Sequence, residues 1–171
     1  MFSLSRAICL ATGLLLAHNV VYACSFKAHP VEEHIDGADI IFIAYIREAA
    51  EVPDRNKNAD PLENPPVRAR FRIVDTIKGD PSKLEYLRSG YGWGDCGVPF
   101  VVGRRYLILT SSGGQVSIVN GSGDVTHEYE PHRRFIQAIK KYVADGTKIP
   151  ATSNPFVRPT GKKPPAADKA R

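Results

Sequence analysis

Two cysteines are the residues of this chain with the clearest capacity for covalent chemistry. The sequence contains three cysteines, and Cys9 lies in an N-terminal segment that we expect to be removed. Cys24 and Cys96 remain, and two cysteines in an oxidising compartment predict one disulfide bond. Such a bond would stabilise the fold by about 4 kcal/mol, because it closes a long loop in the unfolded chain. Two free thiols, or a bridge between two molecules, are the alternatives.

The segment before Cys24 has the pattern of a secretory signal peptide. Arg6 supplies a positive charge, an uncharged and mostly apolar run follows over residues 7–17, and the segment ends in the small residue Ala23. The apolar run is shorter than the roughly 20 residues that cross a bilayer as a helix. We therefore predict that residues 1–23 are a signal peptide and that the mature protein is exported, periplasmic or secreted. The four residues that end at Cys24 also resemble a bacterial lipobox, so a lipoprotein anchored to the membrane through Cys24 is the alternative.

Other residues that could do chemistry do not form a recognisable catalytic or metal-binding pattern. Four histidines form two pairs whose members are five residues apart: His29 with His34, and His127 with His132. This is not the i, i+4 spacing that lets one face of a helix bind a metal, so we interpret them as surface histidines. Asp95 would raise the pKa of the adjacent Cys96 thiol and make it less reactive. The sequence predicts neither catalytic residues nor a cofactor or metal of its own.

A glycine-rich loop next to Cys96 carries aromatic residues that could contact a partner. Tyr91 and Trp93 alternate with glycines in this loop, and exposed loop aromatics often contact peptides or sugars. Trp93 could instead cover one end of the hydrophobic core.

The distribution of charge argues against a nucleic-acid partner. The whole chain has a net charge of +5, but residues 24–150 contain 17 basic and 17 acidic residues. Arg68, Arg70 and Arg72 alternate along a predicted strand, where we expect them to be solvated. A balanced body and an exported location together predict that no nucleic acid is bound.

The elements that position these residues follow from periodicity and turn residues. Helical turns are predicted over residues 31–37, and an amphipathic helix from Pro131 to Asp145 or Gly146. Five strands are predicted: residues 39–46, 67–77, 84–87, 105–109 and 115–119. This order predicts a mainly β fold, a small antiparallel barrel with one flanking C-terminal helix, although a sandwich has a similar strand count.

The chain is predicted to contain one folded domain. Residues 24–150 form that domain, which has a usual size for a single hydrophobic core. Residues 151–171 are rich in proline and lysine and are predicted to form a disordered basic tail.

Four features follow one another along the chain in a recognisable order. They are Cys24-Ser25 at the expected cleavage point, the Ala38-Asp39 step before an apolar strand, the alternating strand from Phe71 to the Lys-Gly turn at Gly79, and Asp95-Cys96-Gly97 before the strand at Tyr106. This order resembles the netrin-like domain and, within it, the N-terminal domain of the tissue inhibitors of metalloproteinases. The resemblance covers about residues 24–119.

The resemblance implies a fold and a site. The fold would be a five-stranded oligosaccharide/oligonucleotide-binding (OB) barrel with a Cys24–Cys96 disulfide, the pairing that the cysteine count also favours. In the inhibitors, the α-amino group and carbonyl of the first cysteine chelate a protease zinc, and the next side chain enters the specificity pocket; Cys24 and Ser25 match these positions. The sequence has Phe26 where the inhibitors have another cysteine, so the ridge beside the N-terminus is braced less.

These observations predict an exported, non-catalytic protein-interaction module of netrin-like fold. The candidate protein-binding residues are Cys24, Ser25, Phe26, Tyr91 and Trp93. The first alternative is a metalloprotease inhibitor that binds a partner's zinc through Cys24, and the second is an exported enzyme of unrecognised type.

Overall fold

A computed structural model describes residues 29–52, 64–92, 95–127, 129–150 and 155–156. The predictions made for the signal peptide, for Cys24, Ser25, Phe26 and Trp93, and for most of the C-terminal tail lie outside these residues.

The described chain folds as one five-stranded antiparallel sheet with two helices. The elements in chain order are α1 (Val31–Gly37), β1 (Ile40–Glu51), β2 (Val67–Lys78), β3 (Leu87–Ser89), β4 (Arg105–Thr110), β5 (Gly123–Asp124) and α2 (Glu130–Asp145), with a 3₁₀ turn at Pro81–Lys83. The strand order in the sheet is β3-β2-β1-β4-β5. This confirms the mainly β fold with a C-terminal helix. The sheet is open, with β3 and β5 at its edges, so its strand pairing is not that of a closed barrel.

The first half of the central strand β1 is buried on both faces, as its run of apolar residues predicts. Side chains on one face of β1 and β4 pack with both helices in one cluster, which includes Ile41, Ile43 and Leu109. Phe42 and Ile46 point to the opposite face and belong to a second cluster with Ile108 and Tyr106. The alternation of side chains along β1 therefore divides the core into two parts.

The boundaries of the C-terminal helix α2 confirm those predicted from its amphipathic pattern. Pro131 lies in the first turn of α2, where its missing N–H costs no hydrogen bond. Gly146 ends the helix with φ 74° and donates its N–H to the carbonyl of Tyr142. Phe135 and Ile139 are almost fully buried, so this face attaches α2 to the sheet.

Two predicted strands are placed differently in the structure. The strand predicted over residues 84–87 is β3, which begins only at Leu87. A 3₁₀ turn at Pro81–Lys83, capped by the Asp80 carboxylate at Ser82 N–H, and a bend at Glu85 precede it. The strand predicted over 115–119 is absent: Gln115 and Ser117 make isolated bridges, and a turn follows.

Side chains explain the loss of the strand at residues 115–119. The N–H of Leu109 donates to the Ser122 hydroxyl at 2.9 Å, and the carbonyl of Leu109 accepts from the Asn120 amide at 2.8 Å. Because these side chains satisfy the backbone N–H and carbonyl of Leu109 at the edge of β4, no adjacent strand is needed to pair with Leu109.

Neither helix in the described ranges has the length and apolar character needed to cross a membrane.

Candidate functional site

A cavity of about 420 Å³ combines apolar walls with charged groups. It lies where the start of the described chain meets β4 and the turn before β5. Residues from four separate parts of the chain line it, and we name it the Tyr106 cavity after its most buried aromatic wall. Its lining includes His29, His34, Val98, Tyr106, Asp124 and Phe156.

Tyr106 is a fixed wall of the cavity. Its side chain is 2% exposed, and its hydroxyl donates to the carbonyl of Pro99 and accepts from the N–H of Val101, each at 2.9 Å. Burial raises the pKa of Tyr106 above its ordinary value. The phenol is therefore neutral at physiological pH, and both of its hydrogen-bonding functions are occupied.

An ion pair forms the charged side of the cavity. Arg104 donates to the Asp124 carboxylate at 2.8 Å, and the N–H of Thr126 donates to the same carboxylate at 2.8 Å. Burial by itself would raise the pKa of Asp124, but the hydrogen bonds from Thr126 and Arg104 outweigh it and lower the pKa. Asp124 is therefore ionised and paired at neutral pH.

Two histidines stand at the edge of the cavity. Their rings are 6.0 Å apart, and His29 Nδ1 lies 2.8 Å from a Glu33 carboxylate oxygen. Partial burial, together with the nearby His29, lowers the pKa of His34, although Glu33 opposes this. In the part of the chain that the structure describes, no three His, Cys, Asp or Glu side chains are grouped as metal ligands would be.

The mouth of the cavity is apolar and open to solvent. Val101 is 45% exposed, Val102 56% and Ile118 40%, and Val101 and Ile118 also line the cavity. Exposed aliphatic side chains that line a concavity are typical of a surface that binds another molecule.

Asp95 organises the glycine-rich loop beside the cavity. Its carboxylate accepts three backbone N–H groups, from Tyr91 at 2.6 Å, Gly92 at 2.9 Å and Gly97 at 3.0 Å. Burial would raise the pKa of Asp95, but these three hydrogen bonds lower it. A Cβ at Gly90 would lie 2.3 Å from an Asp95 carboxylate oxygen, so only glycine fits there.

This loop is adjacent to the cavity. Gly92 has φ 87° and approaches Pro99 so closely that a Cβ would lie 2.7 Å from the proline ring, and Pro99 lines the cavity. Tyr91 is 44% exposed, and its hydroxyl donates to a Glu51 carboxylate oxygen at 2.9 Å. The structure therefore brings the predicted binding residue Tyr91 near the cavity.

Two residues that hold this site in place have no site role in the prediction from sequence. Asp95 is one, although an aspartate among glycines in a tight loop is itself a signal of backbone capping. Tyr106 is the other, and it is predicted only as part of a strand because its partners at residues 99 and 101 meet it only in the folded structure. Cys96 has φ 57°, the left-handed conformation that few non-glycine residues adopt.

Comparison of the chain with known proteins finds no matching family model and no matching curated sequence. The netrin-like resemblance therefore depends on the residues quoted for it and is carried forward as a proposal.

Proposed function

We propose that this protein is an exported, non-catalytic interaction module of the netrin-like type, which binds an apolar side chain of a partner protein in the Tyr106 cavity. The observation that carries the proposal is the open apolar mouth formed by Val101 and Ile118 at this cavity. Partner surfaces commonly insert an aromatic or aliphatic anchor into such a pocket.

The protonation states of the side chains that line the cavity favour the binding of a partner over catalysis by proton transfer. A general acid or base works best when its pKa lies near the working pH. The pKa values of Asp124 and His34 are lowered and that of Tyr106 is raised, so all three move away from neutrality. These groups supply fixed hydrogen bonds and charge at the edge of an apolar surface.

The surface is also ordered before a partner arrives. The three hydrogen bonds to Asp95 hold the Tyr91 loop, and the buried Ser89 hydroxyl accepts from Val98 N–H and donates to the carbonyl of Val116. A surface that is already ordered loses little conformational entropy on binding.

The position of His29 supports the proposed Cys24–Cys96 disulfide. His29 follows Cys24 by five residues, and five residues span at most about 17 Å. His29 lines the same cavity as Val98, which follows Cys96 by two residues. The mature N-terminus would then lie beside the cavity.

One feature supports the finer proposal of an OB-type barrel. Arg88 of the edge strand β3 makes a parallel bridge with Gln115, and its backbone exchanges hydrogen bonds with Gly114 and Val116 at 2.8 Å. This contact links the β3 edge to the segment that connects β4 with β5, which is where a barrel would close.

A peptide selection with two matched valine variants tests the binding proposal. Random peptides are selected on the full-length protein, and their affinities are measured for the wild type, Val101→Glu and Val74→Glu. The two valines have similar exposure, 45% and 39%, but only Val101 lines the cavity. We expect Val101→Glu to weaken binding about tenfold or more, because a buried valine contributes about 1.5–3 kcal/mol, and Val74→Glu to change it less than about twofold. Equal effects of the two variants would overturn the proposal.

The second candidate function is metalloprotease inhibition through the N-terminus. It is favoured by the short chain distance from Cys24 to His29, which lines the cavity, so the α-amino group could reach the same surface as the cavity. The test adds processed protein to zinc proteases at equimolar ratio, beside a variant with one alanine inserted before Cys24. If the processed protein inhibits a protease and the alanine-insertion variant does not, chelation by the α-amine is supported. If every protease keeps its activity with the processed protein, the inhibitor function is rejected.

A further inference from the structure

The outer face of β2 and β3 carries a group of arginines that the Tyr106 cavity does not include. Arg68, Arg70 and Arg72 occupy alternate positions on β2, so their side chains share one face of the sheet. Ala69 and Leu87, on the inner face, are buried. Arg68 pairs directly with Arg88 of β3. We call these four residues the arginine face.

Tyrosine rings hold three of these guanidinium groups. Arg68 lies 5.0 Å and Arg70 5.6 Å from the centre of the Tyr86 ring, and Arg72 lies 5.3 Å from the centre of the Tyr45 ring. Arg70 also donates to the Tyr86 hydroxyl at 3.3 Å. At these distances the rings attract the guanidinium groups through a cation–π interaction, and a guanidinium has five N–H donors, so it can still bind an oxyanion with two hydrogen bonds.

The charge on this face is only partly compensated. Glu48 approaches Arg70, but at 3.7 Å and with both side chains more than half exposed, so the pair contributes little. Glu85 is a second nearby carboxylate. Arg68 and Arg88 are like charges directly opposite each other, an arrangement that destabilises a sheet. An oxyanion between them would relieve that repulsion.

We infer that the arginine face is a binding site for a linear acidic polysaccharide, whose carboxylate groups are bound by the guanidinium groups beside the two tyrosine rings. Alternate residues of a strand are about 6.7 Å apart, so the Cα atoms of the three arginines of β2 span about 13 Å. Their guanidinium groups lie beside two different rings, Arg68 and Arg70 at Tyr86 and Arg72 at Tyr45. A groove of about 480 Å³ adjoins these arginines and is lined by Arg47, Glu48, Arg70 and Tyr86. Several cations along one strand fit a chain that repeats its charge better than a single small anion.

The tyrosines favour a polysaccharide over a single-stranded nucleic acid. Proteins that bind single strands stack bases on open aromatic rings. Here two guanidinium groups lie over the Tyr86 ring and one lies over the Tyr45 ring. These rings therefore orient arginines and leave less aromatic surface for bases.

The test measures the binding of polygalacturonate to the full-length protein by calorimetry at low and moderate salt. Neutral dextran and a single-stranded oligonucleotide are the comparison ligands. One variant replaces the three arginines of β2 with glutamine. A charge-matched control replaces three exposed cations of α2 with glutamine: Arg133, Arg134 and Lys141. Circular dichroism confirms that both variants are folded.

We expect polygalacturonate to bind the wild type and the α2 control within about twofold of each other, and to bind the β2 variant at least about tenfold more weakly. Arg70→Lys, which keeps the charge and loses the planar fork, should weaken binding about threefold. Three results would overturn the inference: no binding to the wild type, equal losses in the β2 and α2 variants, or tighter binding of the oligonucleotide with the same dependence on β2.

Discussion

Replacement of Asp95 by alanine should loosen the loop beside the Tyr106 cavity and destabilise the protein. The substitution leaves three backbone N–H groups without their acceptor, those of Tyr91, Gly92 and Gly97. Two of these hydrogen bonds are partly buried, so water replaces the carboxylate incompletely. Because a hydrogen bond to a charged group contributes about 1.5–3 kcal/mol when buried and less when exposed, we expect a total loss of about 2–4 kcal/mol.

The loss should depend on pH in a defined direction. The pKa of Asp95 in the folded protein is below its ordinary value, so its stabilisation is fully present above the unfolded pKa of about 3.9 and disappears as the pH falls through the folded pKa. Urea unfolding of wild type and Asp95→Ala at pH 7 and below pH 4 measures this. The difference in unfolding free energy should be large at pH 7 and should shrink in acid.

Asp39→Ala is the matched control for this experiment. The Asp39 carboxylate accepts one backbone N–H, that of Ser112 at 3.0 Å, so its loss should cost about 1 kcal/mol. If Asp95→Ala costs no more than Asp39→Ala, or if its cost is unchanged in acid, the three hydrogen bonds do not hold the loop as we argue.

Three further predictions concern packing and are measured by thermal or urea unfolding. Gly90→Ala should destabilise the protein by about 1–3 kcal/mol, because its Cβ would displace the Asp95 carboxylate; an unchanged unfolding curve would contradict this. Ile139→Ala should cost about 2–5 kcal/mol, since Ile139 is fully buried between α2 and the sheet, and a cost below 1 kcal/mol would be inconsistent with that packing. Gly123→Ala should also destabilise, because its Cβ would lie 2.6 Å from the Phe156 ring, and Phe156→Ala should relieve that clash in the double variant.

Periodic segments of the sequence predict most of the framework. The alternation of apolar and charged residues predicts the strand β2, in which Ala69 is buried and Arg70 exposed, and the apolar spacing in α2 identifies Phe135 and Ile139 as buried. These elements are predictable because burial repeats every second residue in a strand and about every 3.6 residues in a helix.

Segments whose conformation depends on side chains elsewhere are not predictable in this way. Residues 115–119 have the apolar alternation of a strand, but Ser122 and Asn120 occupy the backbone of Leu109 and leave only isolated bridges. Whether this segment pairs with β4 cannot be predicted from its composition. The pairing is decided by hydrogen bonds of Leu109 with Asn120 and Ser122, which lie 11 and 13 positions further along the chain.

The candidate site was predictable only in part. The glycine-rich loop with Tyr91 was recognised, since glycine and aromatic residues together mark a surface loop. The Tyr106 cavity was not, because its walls come from residues near positions 29, 100, 120 and 156 that meet only in the fold. The resemblance to netrin-like domains directed attention to the N-terminus, and the cavity extends that interpretation to the surface beside it.

The most direct test of the proposed binding function is methyl NMR of the labelled full-length protein with a peptide selected as described above. The proposal predicts intermolecular nuclear Overhauser effects from the peptide to the methyl groups of Val101 and Ile118, at the mouth of the Tyr106 cavity. Contacts confined to Ile73 and Val74, which are similarly exposed and do not line the cavity, would contradict it.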